Sequence, residues 1–216
     1  LFLPESIPVL FSIVTNPETA GIWEARKNIT GLSDETDLKA YLKFICDLFP
    51  EQKQFGRICS KNEENSLFTG NKLDDLAPVF EIEIITEMIE SDQDIIPAYN
   101  ALKSKGMKCI LAVDDNSVSQ SVSSLIEMGL KDSIFIVGNE ISSVEQGALA
   151  SVSVDYGLIG SETGNLLAAL IRGVPADENS FRTFYTDVIS LSKKTADSLG
   201  FIFPDSIYQK AKNVFE

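Results

Sequence analysis

Short apolar runs alternate with polar, helix-periodic stretches along nearly the whole chain. Residues 7–14 (IPVLFSIV) form a continuous apolar run, which predicts a buried parallel strand. Residues 34–49 carry Leu38, Leu42, Ile45, Leu48 and Phe49 at helical spacing, and Pro50 ends that helix. Residues 55–60 (FGRICS) read as a strand, 67–76 as a helix and 80–86 (FEIEIIT) as an alternating strand. A helix over 91–105 closes at Gly106, and 109–113 (CILAV) is a buried strand. A helix over 118–128 closes at Gly129, and 133–137 (SIFIV) is the next strand. Residues 148–154 alternate small polar and apolar side chains, which is strand patterning; a helix follows, stopped by Gly173 and Pro175. Residues 181–191 read as a strand with a turn, 193–199 as a helix stopped by Gly200, and 204–215 as a last helix. Residues 18–23 start a turn or short helix, and 26–32 (RKNITGL) are polar and contain glycine. This strand–helix alternation predicts an α/β fold with a parallel, doubly wound sheet.

Composition narrows what such a fold could do. The 216 residues carry a net charge of −14, the reverse of the basic footprint that nucleic acid requires. An anionic membrane surface is disfavoured for the same reason. Histidine is absent, which removes the commonest general base and transition-metal ligand. Cys46, Cys59 and Cys109 are too far apart for a zinc motif and read as buried thiols. No apolar run reaches membrane-spanning length, and no secretory signal is present. Gly157, Gly160 and Gly164 lack dinucleotide spacing and read as sites of close helix packing; no cofactor motif is evident.

Polar residues collect where strands hand over to helices: Thr15-Asn16, Asn65-Ser66, Asp115-Asn116-Ser117 and Asp155-Tyr156. In a parallel sheet these carboxyl ends open onto one edge, where ligands bind. Helix starts at Ser66 and Ser117 would offer backbone N–H groups to a carboxylate or phosphate. Asp115 and Asp155 would suit an ammonium, so together the clusters fit a zwitterion such as an amino acid. Taken singly, Asn65-Ser66 and Asn116-Ser117 read as helix caps and Thr15-Asn16-Pro17 as a turn. The ligand reading draws on four clusters at one expected edge. Cys59, at a strand end, is the one nucleophile candidate, without an identifiable partner base.

The chain resembles the substrate-binding proteins of ABC transporters of the tryptophan/tyrosine type, which have the type I periplasmic-binding fold. The resembling segments run in family order: IPVLFSIVTNPETAGI, KNITGLSD, the ENS of 64–66, VDDNSV, SSVEQGALASVSVDYGLIGSETGNLLAALIRG and KKTADSLGFIFPDSIYQKA. The resemblance implies two Rossmann-like lobes with parallel sheets, a first over 1–28 and 154–182 and a second over 29–153 and 183–216. The family's first strand–helix units, which complete the first lobe, would be missing before Leu1, so the resemblance implies a first lobe incomplete as given. It further implies a non-enzymatic protein, periplasmic or extracellular and in some members a lipoprotein, whose cleft closes on a small ligand and whose partner is a membrane permease. By motif position, Thr15 and Asn16 would line the first-lobe wall, and Asn65 and Ser66 would meet the ligand carboxylate. Asp115 and Asn116 would face it from the second lobe, and Asp155 would hold the ammonium beside Tyr156. The chain departs from the family at Asn16, where an aspartate is usual, and at Asp114, where a threonine is usual. Alternatives are a ligand-sensing domain of a larger receptor and a cofactor-independent amino-acid racemase using Cys59.

Overall fold

The structure, a computed structural model, describes residues 4–18, 20–22, 26–179, 182–183 and 188–216. In chain order the strands are β1 (Val9–Ser12), β2 (Ile29–Ser33), β3 (Gln54–Ser60), β4 (Glu83–Ile89) and β5 (Cys109–Ala112). They continue with β6 (Phe135–Gly138), β7 (Ala150–Ser153), β8 (Arg182–Thr183), β9 (Val188–Ser192) and β10 (Asn213–Phe215). The α-helices are α1 (Leu38–Leu48), α2 (Glu64–Leu76), α3 (Ile95–Ser104), α4 (Asn116–Gln120) and α5 (Val122–Asp132). After them come α6 (Ile141–Glu145), α7 (Tyr156–Ile171), α8 (Lys193–Leu199) and α9 (Asp205–Tyr208). Contacts divide the chain into two units, Leu1–Thr36 with Val154–Thr186 and Asp37–Ser153 with Asp187–Glu216.

The first unit is a parallel sheet of order β1-β2-β8. Phe11 stands opposite Gly31, and its ring fills the space above that glycine: a Cβ there would lie 2.3 Å from the Phe11 carbonyl oxygen and 2.5 Å from the ring. Phe11, Ile22 and Ile29 cover one part of the sheet, while Leu32 packs with Ile159 and Leu166 of α7. Strand β2 lies within the stretch read from sequence as polar. Its glycine and short polar side chains disguise a strand whose five residues are all buried. Because β2 pairs with β1, and Ser33 pairs with Thr183 of β8, the units part after Thr36 and Thr186 rather than at the sequence boundaries after 28 and 182.

The second unit is a seven-stranded sheet, β10-β9-β7-β6-β5-β3-β4, parallel except where β7 meets β9. Apolar side chains coat both faces. Leu42, Ile45, Phe55 and Leu73 lie in one cluster, and Ile58, Tyr99, Leu102 and Leu125 in the other. Phe49, Phe135, Phe201 and Phe203 stack as tilted and edge-on pairs with centroids 5.1–5.4 Å apart, geometry that favours the ring quadrupoles. Such two-faced burial is what makes the short apolar runs unbroken.

Several elements differ from the sequence expectation. Gly129 does not end its helix: α5 runs through to Asp132, and Ser133 stops it in the left-handed region at φ 56°. The stretch 116–132 is two helices, α4 and α5. The expected final helix over 204–215 is a single turn, α9, followed by the edge strand β10. A Cβ at Gly160 or Gly164 would meet nothing within 4 Å, so these glycines do not serve helix packing among the described residues. The expected strand over 181–191 appears as β8 and β9; positions 181 and 184–187 lie outside the described residues, as do 19 and 23 of the expected opening turn. No helix among the described residues is long and apolar enough to cross a membrane.

Gly31→Val should lower the unfolding free energy by about 2 kcal/mol or more through overpacking, whereas Gly160→Ala should raise it by up to ~1 kcal/mol. Urea unfolding of the two variants checks both signs.

Candidate functional site

In the first unit the polar side chains gather past the carboxyl ends of β1 and β2 and at the start of α7. The Thr15 hydroxyl donates to Asp34 Oδ1 at 3.1 Å, and Ser33 Oγ donates to the Thr15 carbonyl at 3.0 Å. The Tyr156 hydroxyl also donates to Asp34. Burial is the main influence on Asp34 and pushes its carboxyl up, only partly offset by these donors. Asp34 was missed in the sequence because the strand before it was read as a loop; a residue directly after β2 belongs to the same edge. Asn16 forms a local turn, its Oδ1 accepting from the Glu18 N–H at 3.1 Å. Asp155 caps α7, accepting from the Leu158 N–H at 2.9 Å, and stays half-buried. Tyr156 is 44% exposed.

In the second unit β3, β5 and β6 are neighbours, so the residues following them meet. Asn65 and Ser66 are not caps: α2 begins at Glu64, which puts both in its first turn. The Ser66 hydroxyl donates to Asp115 Oδ2 at 2.5 Å, and the Ser60 N–H donates to the same oxygen at 2.7 Å. Asp115 Oδ1 accepts from the Val118 N–H at 3.0 Å, which makes it the cap of α4. Asp115 is 2% exposed and faces inward, so the expectation that it faces a ligand is corrected: its oxygens tie β3, α2 and α4 together. The expected open helix start at Ser117 is also occupied. Glu63 Oε2 accepts from the Asn116 N–H (2.9 Å) and Asn116 Nδ2 (2.7 Å), and Oε1 from the Ser117 N–H (3.1 Å) and hydroxyl (2.9 Å). Burial pushes Glu63 up, but these four donors outweigh it and hold the carboxyl below its usual range.

Asp114 joins the cluster in the left-handed region, at φ 46°. Its carbonyl accepts from Asn65 Nδ2 at 3.0 Å, its Oδ2 accepts from the Thr69 hydroxyl at 3.0 Å, and its Oδ1 accepts from Asn139 Nδ2. Asn139 follows β6 as Asn65 follows β3, so the pattern used for the other clusters would have found it. Cys59 is 2% exposed, with the Ser66 hydroxyl 3.3 Å from its sulfur; this sealed position does not suit a nucleophile. A cleft of about 520 Å³ opens instead at the amino ends of β3 and β4, lined by Lys53, Gln54, Glu81, Glu83 and Lys108. Size does not make it the site: Gln54 is spent on Glu83 at 2.8 Å, and its charges are mixed rather than convergent.

Residues 4–215 match the family model described as ABC transporter substrate binding protein. The chain is 25% identical to a tyrosine-binding protein of Clostridioides difficile (strain R20291), over 96% of this chain and 64% of that protein, just under two thirds of its length. A conserved domain protein from Vibrio cholerae superposes with a TM-score of 0.86 at 26% identity, covering 96% of this chain and 71% of that one. An ABC domain in complex with L-Trp from Streptococcus pneumoniae superposes with a TM-score of 0.85 at 25% identity, covering 96% and 72%.

Two carboxylates give opposite pH signatures. A folded-state pKa below the unfolded value contributes stability that is lost as pH falls, so Glu63→Gln should cost about 1 kcal/mol at pH 7, as loss of a helix cap does. That difference should shrink through the carboxylate range. Asp34, raised by burial, is penalised at neutral pH; Asp34→Asn should stabilise there, with the gain vanishing in acid. Urea unfolding from pH 7 to pH 3 measures both.

Proposed function

Because the chain belongs to the ABC transporter substrate-binding protein family, we propose that it binds a small zwitterion, an amino acid or a close analogue, and delivers it to a membrane permease. The observation that carries this reading is the match, across nearly the whole chain, to a tyrosine-binding protein and to a domain in complex with L-Trp. The residues support it. In the first unit Asp155 and Asp34 are acids suited to a ligand ammonium, with Thr15 and Tyr156 on Asp34. In the second unit the first turn of α2, with Asn65 beside it, suits a carboxylate. Asn16 and Asn116 line these clusters as secondary polar contacts, while Ser66 and Asp115 act from behind as supports. The lobes are the two units divided after Thr36, Ser153 and Thr186. The protein works outside the cytoplasmic membrane, in the periplasm or at the cell surface. Its named relatives are a tyrosine-binding protein and a domain in complex with L-Trp, which supports a binding role.

Asp155 allows a clean test. Asparagine caps a helix about as well as aspartate, so Asp155→Asn keeps α7 intact while removing the charge. Calorimetry with L-tyrosine, L-tryptophan and the other amino acids should detect binding in the full-length protein. Asp155→Asn should weaken it ~10- to 100-fold, as loss of a charged hydrogen bond does, with an unchanged melting temperature of the free protein. Absence of binding to every amino acid, or full affinity in the variant, would sink the assignment.

A further inference from the structure

Arg57 lies inside β3 with 2% of its surface exposed. Its Nη2 donates to the Ser66 carbonyl at 2.5 Å and meets the Ser66 hydroxyl at 3.2 Å. Its Nε has no hydrogen-bond partner among the described residues. The charge is felt at Asp74, which burial pushes up and Arg57 pulls back. Gly70 makes the room: a Cβ there would stand 2.2 Å from Nη1. A buried guanidinium with one donor idle is a poor way to stabilise a core, since an apolar side chain of similar volume serves as well or better. What the guanidinium does achieve is placement. It pins the first turn of α2 from below, while Ser66 and Asn65 reach across to Asp115 and Asp114 at 2.5 and 3.0 Å.

We propose that Arg57, with Gly70 as its clearance, is the positioning residue for the ligand-binding turn of α2, setting affinity without touching ligand. This rests on the amino-acid reading above. Without the guanidinium, Asn65 and the N–H groups of the turn lose their fixed aim, and a site held loosely binds weakly even when every contact residue is present.

The test uses the full-length protein with L-tyrosine and L-tryptophan as probes. Arg57→Met and Gly70→Ala should each weaken binding about tenfold or more. Arg57→Lys should recover part of the loss, since an ammonium can still donate to the Ser66 carbonyl. Gly56→Ala is the control on the opposite face of β3, where a Cβ would press on Leu102 at 3.1 Å; it should lower stability and leave affinity alone. Amide exchange at Leu67, Phe68 and Thr69, whose N–H groups carry the first hydrogen bonds of α2, needs no ligand and should quicken about tenfold in Gly70→Ala as the turn opens locally. Wild-type affinity in Arg57→Met, or in Gly70→Ala if the first does not fold, overturns the proposal. So does unchanged exchange in Gly70→Ala, or an equal affinity loss in Gly56→Ala. If the wild type binds none of these amino acids, the functional reading falls and the exchange measurement alone judges Arg57.

Discussion

One buried carboxylate organises the working edge of the second unit. Asp115 accepts a backbone N–H from the end of β3, a hydroxyl from α2 and a backbone N–H from α4. An unpaired carboxylate in that position would be far costlier than an apolar side chain, so every donor around it has to be in place at once. The ends of β3 and β5 and the starts of two helices are therefore specified together. Ser66 couples this carboxylate to the guanidinium below it, and Asp114 extends the same edge to Asn139. The polar edge is a connected network whose members hold one another.

The two units solve the same problem with different means. In the first, a threonine and a tyrosine hydroxyl share one partly buried acid, which burial keeps poised toward its neutral form. An approaching cation would reverse that preference, because a nearby positive charge favours the ionised carboxylate. In the second, acids are satisfied internally by backbone N–H groups together with hydroxyl and amide side chains. The sum of charges, −14, says nothing of this division; it keeps the protein soluble and sets its long-range field.

Most strands could be read from the chain because two-sided burial leaves unbroken apolar runs, as in Cys109–Ala112. Strand β2 escaped because Gly31 is required by the ring of Phe11, a neighbour some twenty positions away that no local pattern reveals. Strand β10 escaped because its pairing with β9 outweighs a helix-like spacing. The site was legible as positions and less so as roles. Asp155 and Asp115 both read as ligand-facing acids suited to an ammonium, yet the structure leaves one half-buried and seals the other. Glu63 and Asp34 carried no local motif; their partners are 53 and 19 residues distant.

Each unit is made of two separated stretches of chain, and this bears on synthesis. The hydroxyls of Ser12 and Thr163 meet at 2.8 Å although the two residues are 151 positions apart. The last strands of the second unit, β9 and β10, lie beyond the segment that completes the first. A nascent chain therefore cannot close either sheet early, and the fold is dominated by pairings of high sequence separation, which form slowly. The polypeptide spends its emergence from the ribosome with open sheet edges and unfinished cores, the condition in which a chain is most dependent on chaperones and most easily threaded elsewhere before it folds.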